Sequence, residues 1–258
     1  MNTVRRSLMV LFAGIASFWS VAPATAQYRT VDPPVTYGTP SLRDMDVGYV
    51  IPELYPGGGD SWDAWSSSFL KADGQAPKKP ATTGDEDTDM ENESDFSESY
   101  AKWASMYSAQ SVMDGDPGTA WAEGAKGTGT GEVVVARISE PKGIGIMPGF
   151  QRNADLFGKN ARPRRVRVWL LAAGRKDVGQ YENFYYDVKA LAFHDVDLAD
   201  AMGWQALPLP AAVAPPTKMS GGYEGDPFTD WFVAVRILSV YPGSRWEDCC
   251  IAEIGPIE

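Results

Sequence analysis

The stretch Arg165-Val166-Arg167-Val168-Trp169-Leu170 alternates strictly, with Val166, Val168 and Leu170 on one side. A period of two commits it to a half-buried strand, with Arg165 and Arg167 on the polar face. Several other segments have the same character. Residues 133–138 read Val-Val-Val-Ala-Arg-Ile between Gly131 and Pro141, and Ile144 and Ile146 alternate with glycine. Val233, Val235 and Ile237 form a third alternation, residues 250–254 close the chain, and residues 191–197 and 204–209 are weaker candidates. The chain carries 26 glycines and 19 prolines, which punctuate these strands as turns. Short strands between Gly/Pro turns predict an all-β fold, a sandwich or a jelly roll. From residue 100 onward no amphipathic helix is long enough to support a parallel α/β sheet. Residues 174–230 exceed an ordinary connection and are expected to form an insertion with one or two strands.

The N-terminal part has a different composition. Arg5 and Arg6 precede an apolar run over residues 8–22, and Ala24-Thr25-Ala26 is a small-x-small site. This pattern predicts a secretory signal peptide over residues 1–26, cleaved after Ala26, and a secreted or periplasmic mature chain. No later stretch is apolar and long enough to span a bilayer. Residues 27–99 hold 5 basic and 15 acidic residues, against 16 and 19 in residues 100–258. The net charge of −11 therefore resides mainly in the first of these segments. Such a field repels phosphate backbones, so nucleic acid is excluded as a partner. Prolines, the run Gly57-Gly58-Gly59 and the acidic stretch 85–98 predict a mostly disordered linker over 27–99. Within it Trp62, Trp65, Phe69 and Leu70 form an apolar patch able to dock as a short helical turn.

Few residues carry candidate chemistry. Asp114-Gly115-Asp116-Pro117-Gly118-Thr119 is a tight loop that presents two carboxylates and a hydroxyl. These are the hard oxygen donors that Ca²⁺ takes, although the same loop also reads as a turn capped by its own aspartates. His194 is the only histidine, and no nucleophile motif accompanies it. The run Gly127-Thr128-Gly129-Thr130-Gly131 precedes a strand and lacks the third glycine of a dinucleotide fingerprint. Cys249 and Cys250 are adjacent and point to opposite sides of a strand. One is expected in the core and the other as a semi-exposed thiol, with a vicinal disulfide as the alternative. With one distant histidine they make no zinc site. Phe150, Arg152, Phe157, Asn160 and Arg162 mix aromatic, amide and guanidinium groups before a strand, and Tyr241, Arg245 and Trp246 repeat that mixture. Such loops suit a sugar, whose apolar face stacks on a ring while its hydroxyls meet polar forks.

The ordered segments DGDPGTAWAEG, GTGTGEVVVA, GFQRNADLFGKNARPRRVRV and VRILSVYPGSRWEDCCIAEI, spread over residues 100–258, resemble a discoidin-like domain. This is the coagulation factor 5/8 type C, galactose-binding-like class. The variant most resembled is the translocation or glycan-binding module found beside bacterial NAD-glycohydrolase domains. The resemblance implies an eight-stranded jelly roll, a carbohydrate-binding role without catalysis, and a structural Ca²⁺. Carried onto this chain, the metal set becomes the side chains of Asp114, Asp116, Thr119 and Glu253 with the carbonyls of Ser111 and Ala252. The family's loop usually begins Asn-Gly-Tyr where this chain has Pro148-Gly149-Phe150, which removes an amide and a hydroxyl. The implied partners are a glycan or cell-surface polysaccharide. The alternatives are an envelope protein-interaction or structural module, and a hydrolase working through carboxylates.

Overall fold

A computed structural model describes residues 38–54, 63–178, 183–211 and 230–257. The expected signal peptide lies outside the described residues. Among those residues eleven strands form two antiparallel sheets. The larger sheet runs β1 (Val50–Leu54), β8 (Asn183–Asp197), β6 (Arg162–Ala172), β10 (Trp231–Tyr241), β4 (Val133–Ile138) and β2 (Ala64–Ser66), and β7 (Arg175–Val178) pairs with β8. The smaller sheet runs β3 (Trp121–Ala122), β11 (Cys250–Pro256), β5 (Ile144–Pro148) and β9 (Gln205–Ala206). The alternation read in the sequence becomes the packing. Val166, Val168 and Leu170 of β6 meet Val233, Val235 and Ile237 of β10, and from the facing sheet Trp121, Ile146, Ile251 and Ile254. This is the core of a β-sandwich.

The other face of the larger sheet differs from the expectation of a solvated surface. Trp169 and Leu171 share a face with Arg165 and Arg167 and are fully buried, with Val133, Val135, Tyr185 and Phe232. Leu42, Met45, Ile51, Leu54 and Trp65 from the N-terminal segment cover them. Trp65, Tyr185 and Phe232 meet edge-on, with centroids 5.0–6.0 Å apart, an arrangement aromatic quadrupoles favour. The segment also latches through charge. Arg43 donates two hydrogen bonds, of 2.6 and 2.9 Å, to the buried Glu132, which also accepts from the hydroxyls of Ser67 and Ser68. Burial alone would raise the Glu132 pKa, but these donors outweigh it and hold the carboxyl below its usual range.

The described part of the expected linker is thus structured, with β1 on one edge of the sheet and β2 on the other. Trp65 and Phe69 dock on the domain as expected, but through strand β2 and the chain just after it and not through a helical turn. The acidic stretch is also ordered, as helix α1 (Glu86–Ala104). Asp85 caps it by accepting from the Thr88 amide, and Glu86, Asp87 and Asp89 sit in its first turn, where the helix dipole favours negative charge. Ala104 is its one buried residue, so the helix rests on its cap and first-turn charges more than on core packing. The described part of the expected insertion at 174–230 is a second correction, residues 179–182 and 212–229 lying outside the described residues. β8 runs fifteen residues between β1 and β6 and is integral to the sheet. Both cysteines are free and buried, so Cys250 is not semi-exposed and no vicinal disulfide forms.

Candidate functional site

The aspartate loop follows a short 3-10 helix, Ala109–Val112, which sets Ser111 beside it. Asp114 accepts from the Asp116 amide at 2.9 Å and from the Thr119 hydroxyl at 2.7 Å, and Asp116 accepts from the Gly118 amide at 2.8 Å. Gly115 turns the loop at φ 74°, a left-handed value that costs glycine little. Glu253 approaches from β11. It is 4% exposed, and burial, followed by the nearby charge of Asp114, pushes its pKa up to about 7. Its Oε1 is buried with no hydrogen-bond partner, an expensive condition for a carboxyl group. Loop and last strand are therefore brought together as the resemblance implied. Among the described residues no group of three or more His, Cys, Asp and Glu side chains is clustered to hold a metal, and both Asp114 and Asp116 accept from the loop's own backbone. An all-oxygen set of Asp114, Thr119 and Glu253, completed by Asp116 and the carbonyls of Ser111 and Ala252, nonetheless suits a hard cation, and the orphaned Glu253 oxygen fits one.

Half of the nominated ligand residues share a cleft on the outer face of the smaller sheet. Phe150, Arg152, Asn160 and Trp246 line a space of about 450 Å³ with Tyr107, Lys71, Asp73 and Asp248. Its concavity has a simple cause. The strand residues facing outward there, Ala122 and Cys250, are small, while Leu70, Tyr107 and Phe150 pack around them. Tyr107, Phe150 and Arg152 also line an adjoining space of about 600 Å³ that reaches Ser111, Asp114 and Thr119. Arg152 stacks on Phe150 at 5.6 Å and donates to the Gly118 carbonyl at 2.9 Å, which joins the cleft to the aspartate loop.

The other four nominated residues do not line these clefts. Arg162 grips Asp200 through two nitrogens and lies over Phe157 at 4.8 Å and Tyr241 at 5.8 Å. Its fork is consumed within the fold, so it serves as a pin and not as a free ligand contact. Tyr241 donates its hydroxyl to the Leu198 carbonyl, and Arg245 lies over the neighbouring Trp246 ring at 4.6 Å. Tyr107, Lys71, Asp73 and Asp248 were not legible as ligand residues, since they come from three separate segments, Lys71 and Asp73 sharing one, and no motif joins them. His194 Nε2 bonds the Pro208 carbonyl, and burial pushes both thiols up, which leaves them poor nucleophiles. Among the described residues no helix is long and apolar enough to cross a membrane.

A scan against protein families matches residues 82–255 to the NAD glycohydrolase translocation F5/8 type C domain. The family is described by its translocation role and not by a catalytic one. No curated protein and no solved structure matches the chain. The match begins just before α1 and ends within β11, so it takes in the smaller sheet up to the end of β11, the larger sheet without β1 and β2, the aspartate loop, and the cleft except for its wall of residues 70–73. With well over half of its residues matched, the chain belongs to the NAD glycohydrolase translocation F5/8 type C domain family.

Proposed function

We propose that the chain is an exported, non-catalytic carbohydrate-binding module whose glycan lies in the cleft of Phe150, Arg152, Asn160 and Trp246. The observation that carries this reading is the cleft itself: aromatic walls, an amide, a guanidinium and two carboxylates around a floor of small residues. Apolar walls with a few convergent polar groups are the chemistry of a sugar site. Ca²⁺ held by Asp114, Asp116, Thr119 and Glu253 with the carbonyls of Ser111 and Ala252 ties the loop to the last strand and steadies Arg152 through Gly118. Export follows from the signal-like residues 1–26 and agrees with a translocation family. The buried, high-pKa thiols and the engaged histidine favour binding over catalysis. A glycan array probed with the mature chain in Ca²⁺ tests the reading. Binding to one glycan class, lost at least tenfold in Trp246→Ala and in Arg152→Ala, is expected, and a blank array would sink it. An envelope protein partner is the second reading, favoured by the exposed acidic side of α1. It predicts a stoichiometric partner released by charge reversal on that helix.

A further inference from the structure

Trp204 rests on an unusual support. Gly145 of β5 and Gly255 of β11 are direct register partners across the smaller sheet. A β-carbon on Gly145 would lie 3.0 Å from Trp204 Cε3, and one on Gly255 3.6 Å from its Cη2. Both atoms belong to the six-membered ring of the indole, so that ring covers a cross-strand glycine pair. Aromatic cover supplies packing that glycines lack, which accounts for one face of the ring. It leaves the rest of the side chain unexplained, for Trp204 is 44% exposed.

The connection carrying Trp204 is pinned. The Gln205 side chain accepts from the Ala199 amide at 2.8 Å and donates to the carbonyls of Ala199 and Ala201 at 3.0 and 3.1 Å. The Gly203 amide donates to Gln151 Oε1 at 3.0 Å. A ring held in advance spends little ordering entropy when a ligand arrives. Beside it opens a cleft of about 610 Å³, with Met113, Ile144 and Pro256 as apolar wall and Glu140 and Lys142 at the rim. Glu140 and Lys142 pair at 3.1 Å and are both well exposed, so the pair rearranges at little cost. With Arg137 and Glu253, the other charged residues of the lining, they make two cations and two anions, a formal balance that selects no ion. A backed indole face beside mobile donors and acceptors suits the C–H face and hydroxyls of an uncharged sugar ring.

We infer that Trp204 is the stacking platform of a second carbohydrate site, taking a neutral pyranoside unit, with Lys142 and Glu140 reaching its hydroxyls. The inference rests on the glycan-binding reading for its ligand class, but this cleft shares no lining residue with the cleft of Phe150 and Trp246. The test uses the mature full chain, ¹⁵N-labelled at its indoles, titrated with cellotetraose, chitotetraose and β-1,4-galactotetraose. The Trp204 indole resonance, assigned from Trp204→Phe, is expected to shift and saturate with at least one probe. Trp204→Ala is expected to weaken that event at least tenfold and Trp204→Phe at most threefold. Should the resonance stay still with every probe, or Trp204→Ala bind as the parent does, the ring is only a cover for its glycines. Concentration-dependent shifts without sugar would assign the face to a second copy instead and would also overturn the inference. Binding abolished by Trp246→Ala alone overturns it while leaving the main reading intact, and binding that answers only to Trp204 does the reverse.

Discussion

Glu123 shows how a single residue couples the fold to pH. It is fully buried and accepts from the amides of Ala125 and Cys249. A β-carbon on Gly129 would stand 2.4 Å from its Cγ, so the glycine-rich run is needed to close over this side chain. Desolvation dominates those two donors and pushes its pKa from 4.5 up to about 7. The folded state therefore keeps a proton that the unfolded chain releases near 4.5. Between these values the native form binds more protons, so this group lowers stability as pH rises through the window, with the full cost present above about 7. Urea melts of the parent and Glu123→Gln from pH 5 to 8 check it. The stability of the parent relative to the variant is expected to fall as pH rises and then level off, and a constant difference would contradict this account.

At the scale of elements, the N-terminal segment and α1 are opposites. β1 and β2 are short and easily overlooked, yet they close both edges of the larger sheet, and their segment buries five large apolar side chains against its outer face. Each such burial is worth about 1.5–3 kcal/mol, a large share of ordinary domain stability. The family match starts at residue 82, but the sheet of this chain needs residues 38–70. A chain starting at residue 82 is expected to aggregate or to bind a hydrophobic dye, whereas one starting at residue 38 stays monomeric with its melting temperature within a few degrees. Equal behaviour of the two in size-exclusion chromatography would show that the cover is dispensable. α1 leans instead on its cap and on the strap before it, through Lys79–Glu93 and Thr83–Asp89 contacts.

At the scale of the molecule, one uncompensated feature among the described residues is the buried Glu253 oxygen beside the aspartate loop. A cation there would bind the folded state and not the unfolded one, and so would stabilise by mass action. Addition of Ca²⁺ at 100 times its Kd is expected to contribute about 2.7 kcal/mol, seen as a rise in melting temperature that EDTA reverses. The response should vanish in Glu253→Gln and in Asp114→Asn. A melting temperature indifferent to both Ca²⁺ and EDTA removes the metal from the account. The sequence by itself determined the all-β class and the inward faces of β4, β6 and β10, because a period of two is written locally in Val166-Arg167-Val168 and its counterparts. It also determined the aspartate loop, whose glycines and aspartates carry their turn chemistry with them. Tertiary structure alone decided the rest. Leu42, Ile51 and Trp65 belong to the core because a distant sheet presents an apolar face to them, and low local hydrophobicity conceals that. Arg162 became a pin and not a ligand contact because Asp200, 38 residues away, folds back onto it. Trp204 became a surface feature because two glycines 110 positions apart in the chain are partners across one sheet.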